Sequence, residues 1–193
     1  MNRINLAITI IAAVFLLMAF TTPVKLETYK VDTELSSIDW IGRKVTGKHN
    51  GKINISSGEV LVKENDVQGG SFTMDMNSII SDSEKLTSYL KNEDFFSVEK
   101  NPTSKFVITK VSSIGNQRIN VSGDLTIKGH TESITFPASV KKKGNSLVAI
   151  ANKIMINRAK FNIRYGSKSF FNDIANKAID DEFELAINLV AKK

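Results

Sequence analysis

Apolar and polar side chains alternate with a period of two in segment after segment of this chain, and that pattern leaves few folds open. Ile119, Val121, Leu125 and Ile127 alternate with Asn120, Ser122, Asp124 and Thr126. Ile134, Phe136, Ala138 and Val140 alternate with Thr135, Pro137, Ser139 and Lys141, and Val148, Ile150, Ile154 and Ile156 follow. Phe183, Leu185, Ile187 and Leu189 end the chain against Glu182, Glu184 and Asn188. Successive side chains of a strand point to opposite faces, so each segment reads as a strand with one face on a core. Segments at 29–33, at 36–46, around Ile53–Val62, from Phe72 to Met76 and from Phe106 to Ile108 bring the count to eight or nine. Short turns between most of them suit an antiparallel meander. A single sheet of that length must curl, and closing it removes both unpaired edges. The expected fold is all-β, an antiparallel eight-stranded barrel closed around either a packed interior or one ligand. Turns are expected at His49-Asn50-Gly51, where Asn-Gly suits the positive φ of a tight hairpin, at Gly69-Gly70, and at Gly144-Asn145 after Lys141-Lys142-Lys143. Gly42 reads as a bulge.

One stretch breaks the alternation, from Ser81 to Phe106. Ser81 and Glu84 have capping-box spacing, which satisfies free amides at a helix start. Leu86, Tyr89 and Leu90 then fall at i, i+3 and i+4 and make one apolar stripe. Asn92 ends the helix, Asp94 caps a further turn carrying Phe95 and Phe96, and Pro102 returns the chain to strand. Such a helix needs an apolar surface to cover. It either closes one end of the β core or forms a lid over a cavity. A second short helical piece is expected at 170–176, giving one or two short helices in all.

The first 22 residues stand apart. Arg3 is followed by an apolar run from Ile4 to Phe20, broken by Asn5 and Thr9, with Ala19 and Thr21 where small residues precede a cleavage point. Residues 1–22 therefore read as a signal peptide or a retained N-terminal membrane anchor, and both put the folded part, residues 27–192, outside the cytoplasm. About 170 residues remain for one domain with a full core. The chain has no cysteine, hence no disulfide, thiol nucleophile or thiolate metal site. Its net charge of +6 falls to about +5 without Arg3. That surplus is dispersed, which excludes a nucleic-acid patch and leaves a solvated surface or a membrane surface.

Catalytic chemistry finds little to work with. Both histidines, His49 and His130, fall in turn signals. No nucleophile elbow and no His/Asp/Glu group with metal-ligand spacing appears, and Asp180-Asp181-Glu182 reads as solvated. Gly42 to Lys48 has the spacing of a phosphate loop, but His49 stands where Mg²⁺ needs Ser or Thr, and a hairpin follows where a helix is required. No enzyme activity, metal or cofactor is expected. The eleven Phe and five Met supply the other signal. Phe72, Met74, Met76, Phe106, Phe136 and Phe183 all fall on inward faces, as a packed core or as a ligand wall that flexible Met suits equally well.

Several stretches together resemble the YceI-like family of exported polyisoprenoid-binding proteins: Ile38-Asp39-Trp40, Gly47-Lys48-His49-Asn50-Gly51, Met76-Asn77-Ser78-Ile79, the run from Tyr89 through Phe96 to Asn101-Pro102-Thr103-Ser104-Lys105-Phe106, and Gly123-Asp124-Leu125-Thr126-Ile127-Lys128-Gly129-His130-Thr131. The resemblance covers about Tyr29 to Lys192. It implies a lipocalin-like barrel with an apolar tunnel for a polyprenyl chain, isoprenoid quinone or similar lipid, a periplasmic or secreted location, and no catalysis. On that reading the tunnel is walled by Trp40, Phe72, Met74, Met76, Phe106 and Ile108, with Leu125, Ile127, Phe136 and Phe161 beside them. Leu86, Leu90, Phe95 and Phe96 cover it. A headgroup at the mouth would meet Arg43, Lys48, Arg158 and Arg164, cations that otherwise belong to the solvated surface. In the segment Arg158-Ala159-Lys160-Phe161-Asn162, Ala159 lacks the hydroxyl and Asn162 replaces the glycine common in family sequences. The alternative is an envelope stress-response or interaction module with a packed barrel and no lipid. A dimer is compatible with either.

Overall fold

The computed structural model describes residues 25–172 and 178–193. Its elements run β1 Leu26–Val31, β2 Ser37–Lys44, β3 Gly47–Lys63, β4 Asp66–Ser81, α1 Glu84–Lys91, β5 Thr103–Gly115, β6 Arg118–Ile127, β7 His130–Lys143, β8 Ser146–Asn157, a 3₁₀ turn Arg158–Phe161, and β9 Ile179–Lys192. Each strand from β2 to β9 pairs antiparallel with the next, and β2 also pairs with β9, so the sheet closes into an eight-stranded barrel. The leading segment 1–22 lies outside the described residues.

Nine strands fill eight positions because β1 and β2 share one. Both pair with β3 and with β9. Lys30 faces Glu59 and Ile38 faces Ile53, eight steps on one side against six on the other, so the break between them holds two extra residues. Local polar groups replace the ladder there. Asp32 N–H donates to Val190 O at 2.8 Å, Ser36 Oγ accepts from Val190 N–H at 3.0 Å, and Asp32 Oδ1 accepts from Leu35 N–H at 3.1 Å. Backbone groups at a seam must find such partners.

The tight turns sit at 45–46, 64–65, 116–117, 128–129 and 144–145. Asn116 and Gln117 both have positive φ, as do Lys128 and Gly129, which matches the twist of the flanking strands. Two expected turns are corrected. His49, Asn50 and Gly51 lie inside β3, and Gly69-Gly70 lies inside β4 opposite Leu61 and Val60. Gly51 is glycine because of crowding: a Cβ there would lie 1.8 Å from the Ile80 carbonyl oxygen and 2.7 Å from the Trp40 ring. The bulge at Gly42 is present, as a register shift against β9 between Gly42 and Lys44.

The stretch that breaks the alternation forms the helix, with its cap moved. Ser81 still pairs with Gly51 as the last residue of β4, so it cannot cap. Ser83 takes that place, its hydroxyl accepting from Leu86 N–H at 3.4 Å, and Asn92 is the C-cap. Phe95 and Phe96 follow in turns rather than in a capped helical turn, with Phe96 N–H donating to Leu90 O at 3.1 Å. Strand β4 pairs with β5 only from Ser71 to Asp75, so the two diverge beyond that point. The segment from α1 to Pro102 fills the gap and folds over that end of the barrel. The second helical piece expected at 170–176 falls partly outside the described residues; Phe170 to Asn172 form turn and bend.

Candidate functional site

The inward faces do not meet at the axis. Two cavities occupy the barrel, one of about 460 Å³ beneath α1 and one of about 120 Å³ deeper along the axis. Ile38, Met74, Leu125 and Leu185 line both, so these four side chains form a waist between them. The larger space falls within the roughly 300–1,000 Å³ of small-molecule sites.

The deeper cavity is walled entirely by apolar residues, among them Phe72, Phe106, Ile108 and Phe136. The Phe72 and Phe106 rings stack at 6.4 Å, and Phe106 meets Phe136 at 5.6 Å. Gly123 makes room for this: a Cβ on it would lie 2.4 Å from the Phe106 ring. The larger cavity is lined by Trp40, Met76 and Ile127 from the wall and by Leu86, Tyr89, Leu90, Phe95 and Phe96 from the lid. Phe95 lies 5.5 Å from Phe96 and 6.2 Å from Tyr165, ring centre to ring centre. Polar groups enter only this cavity's lining, through Arg43, Lys44, Thr46, His49, Ser104, Arg158 and Asp180. The apolar body and polar end are joined in one space.

Thirteen of the fourteen wall residues read from the sequence line one cavity or the other. Phe161 does not. It is 1% exposed and packs into the core from the end of the 3₁₀ turn, outside either lining. Of the four cations, Arg43 and Arg158 border the larger cavity, whereas Lys48 and Arg164 are exposed and outside its lining. Arg164 donates instead to Asn162 Oδ1 at 2.6 Å and lies over the Phe170 ring. Sequence reasoning missed Tyr165, Asp180, Ile79 and Thr46, and placed His49 in a turn when β3 carries it to the cavity edge.

Arg158 is 2% exposed, and its donors go to the protein. Nε donates to Asp180 O, Nη1 to Ile163 O and Tyr165 O, and Nη2 to Ile179 O, all at 2.8–3.0 Å. Its Nη2 also lies 3.5 Å from Asp181 Oδ1. These four hydrogen bonds and the Asp181 ion pair turn the guanidinium toward the protein rather than toward a headgroup. Burial lowers the guanidinium's pKa, and the charges of Asp181 and Asp180 oppose that. For the Asp181 carboxyl, burial pushes upward, but hydrogen bonds from Ser167 and Ser169 and the Arg158 charge outweigh it, so its pKa lies below the ordinary value. Arg158 thus ties the 3₁₀ turn, the loop after it and the start of β9 into one mouth. Asn162 follows with φ 57°, a left-handed conformation that explains why glycine serves here and asparagine can replace it.

Two further pairs border the space. Arg43 Nη2 lies 3.2 Å from Glu184 Oε2, and His49 Nδ1 lies 2.9 Å from Asp82 Oδ1 in the link between β4 and α1. No group of three His, Asp or Glu among the described residues is placed to hold a metal ion.

A family model for the YceI-like domain matches residues 29–191. The fold is similar to that of Burkholderia cenocepacia BcnA, with TM-score 0.72 and 24% identity over 84% of this chain and 99% of that one. It is also similar to a polyisoprenoid binding domain from Saccharophagus degradans implicated in plant cell wall breakdown, with TM-score 0.67 and 13% identity over 87% of this chain and 99% of that one. At these identities the likeness establishes the fold. A UPF0312 protein of Shewanella denitrificans is 28% identical over 133 residues, 64% of this chain and 67% of its own. One from Pseudomonas putida is 37% identical over 67 residues, and the chain spans only about a third (35%) of its length. A match across nearly the whole barrel, on a structure that closes as those structures do, makes this chain a member of the YceI-like family.

Proposed function

We propose that the protein binds a long apolar lipid of the isoprenoid class inside its barrel and carries or buffers it in the cell envelope, as a binding protein and not an enzyme. The observation that carries this reading is the pair of cavities meeting at Ile38, Met74, Leu125 and Leu185, apolar throughout the deep half and polar only at the lid end. A polyprenyl tail has almost no hydrogen-bonding capacity, so a dry apolar bore is nearly all its recognition needs. At about 0.8 kcal/mol per buried CH₂, each isoprene unit contributes roughly 3–4 kcal/mol gross, opposed by the ordering of a long chain. The class of lipid is supported by the described ligand of the Saccharophagus relative. The tail passes the waist, and the headgroup stays at the mouth beside Arg43, Lys44, Thr46 and His49. Placement in the envelope is supported by the apolar run from Ile4 to Phe20 behind Arg3. A packed-barrel interaction module needs an interior without such space, and the cavities speak against it.

Native mass spectrometry of the purified protein, with organic extraction of what it releases, tests this. A discrete adduct that extracts as a polyprenyl compound or prenyl quinone is expected. A clean mass, unchanged after incubation with prenyl lipids, overturns the reading.

A further inference from the structure

We propose that the mouth of the barrel is a docking surface for an anionic lipid bilayer. Two segments edge the mouth, Arg43 to Lys48 and Arg158 to Asn172. The first contains three cations and no acid; the second contains four cations and no acid. They lie side by side, because Lys44 pairs with Ile179 and Ile179 N–H donates to Gly166 O at 2.8 Å.

Both segments also expose apolar side chains. Val45, at the tip of the β2–β3 hairpin, is 58% exposed, and Tyr165, Phe170 and Phe171 are exposed on the second segment. Tyr89 of α1 joins them, its ring 6.4 Å from that of Tyr165. Single exposed apolar residues are ordinary. Five around the opening of one apolar cavity, interleaved with Lys44, Lys48, Arg164 and Lys168, match the mixture that lies at a bilayer surface: apolar and aromatic groups at the headgroup level, cations toward anionic lipids. Acids also stand near the mouth, Asp82 paired with His49, Glu84, Glu93 and Asp94 on the lid segment, and a group at the start of β9. Glu184 is paired with Arg43 and Asp181 with buried Arg158, while Asp180 and Glu182 are exposed. The exposed cations lie on the hairpin and the 158–172 segment, with exposed Asp180 and Glu182 between them at the start of β9.

The purpose of this surface rests on the lipid-carrying reading, although its geometry does not. A long tail leaving a bilayer for the barrel would expose every methylene to water unless the mouth meets the membrane first. Docking removes that exposure.

The chain lacks cysteine, so single labels can be placed at will. Val45→Cys, Phe170→Cys and, as a control, Ile150→Cys on the β8 wall are each labelled in the full chain with an environment-sensitive fluorophore. Ile150 pairs with Asn188, nine residues along β9 from Ile179, which is roughly 30 Å from the mouth at about 3.3 Å per residue. Each is mixed with phosphatidylglycerol–phosphatidylethanolamine vesicles and with phosphatidylcholine vesicles. The expected result is a blue shift at positions 45 and 170 with the anionic vesicles only, and none at 150. About 0.5 M salt should weaken it. Lys44→Glu with Lys48→Glu, in the Val45→Cys background, should weaken the response at least tenfold in lipid concentration, since each cation near an anionic leaflet is worth roughly fivefold. These local labels report contact at the mouth even if residues 1–24 themselves hold the chain to a membrane.

Equal shifts with both vesicle types, a full shift in the charge-reversed variant, or a shift at 150 equal to that at 45 would overturn the proposal. No shift with either vesicle would overturn it too and leave the exposed edge to a protein partner. Extracted lipid content measured on the same samples separates the two readings. An empty barrel whose mouth still inserts refutes the cargo and keeps the docking; a filled barrel whose mouth ignores vesicles does the reverse.

Discussion

The indole Nε1 of Trp40 donates to the main-chain carbonyl of Ile80, 3.2 Å away, across a gap that Gly51 keeps open. Trp40 is on β2, Gly51 on β3 and Ile80 near the end of β4, so one contact fixes three strands beside the lid. Gly51→Ala must push the Ile80 carbonyl or the indole aside, and overpacking of this kind costs about 1–3 kcal/mol. A urea midpoint lowered to match, with a changed emission from the chain's single tryptophan, is the expected outcome. Retention of both values would show that the crowding at Gly51 relaxes freely.

Met74 offers a test of the bore. It lines both cavities at the waist. Met74→Trp should seal the deep cavity while leaving the protein folded, since the added rings can enter existing space. Native mass spectra should then show at least a tenfold loss of the longest bound lipids, with shorter chains retained above the waist. Phe106→Trp, in the deep wall, should shorten the retained chains less. Identical lipid profiles in both variants and the parent would remove Met74 from the path.

Arg158 serves the architecture of the mouth. Removing a buried charge while its partners stay buried costs about 3–5 kcal/mol, and Arg158→Ala would strand four carbonyls and Asp181. Arg158→Lys should recover little, because one ammonium cannot span the fork of carbonyls that the guanidinium meets. Arg158→Ala combined with Asp181→Asn should be less damaging than the two single losses added. Full additivity in denaturant titrations would show that Arg158 and Asp181 act independently.

The His49–Asp82 pair joins β3 to the link that leads into α1. The hydrogen bond from His49 is the main cause holding the Asp82 carboxyl below its ordinary 3.8, with Ser81 and the Asn50 backbone adding to it. A carboxyl held low in the folded state contributes stability that is fully present above 3.8 and is lost as pH falls through the lowered value. Asp82→Asn should therefore reduce the denaturation midpoint at neutral pH. The gap from the parent should close as pH falls from about 5 to about 2. A gap that stays constant across that range would mean the ionised carboxylate contributes nothing.

The strands were legible because each needs only its own alternation, and the lid because Leu86, Tyr89 and Leu90 break it with helical spacing. What failed was local grammar overridden by distant neighbours. Asn50-Gly51 carries the signature of a turn, yet the glycine answers to Trp40 on β2 and Ile80 on β4, the strands to either side. Ser81 has the spacing of a cap, yet its pairing with Gly51 holds it in β4, and the cap passes to Ser83. The cavity wall was read almost entirely from inward positions, since alternation determines which side chains face the axis. The polar edge was not. Arg158 looks like any surface cation until four carbonyls from positions 163 to 180 close around it, and nothing about the residue itself announces that.

The shared position of β1 and β2 has one more consequence. Leu26 faces Lys63 and Lys30 faces Lys192, and the Lys193 ammonium lies 2.7 Å from the Glu27 carboxylate. Residue 25 and residue 193 therefore leave the barrel together, at the pole opposite the opening. The protein has a handle end and a working end. Tags, tethers or fused domains grafted at residue 25 or residue 193 would not cross the entrance, and a short linker could join those two positions into a circle. Meanwhile the loops around the entrance can change their sequence without disturbing the seam that closes the wall.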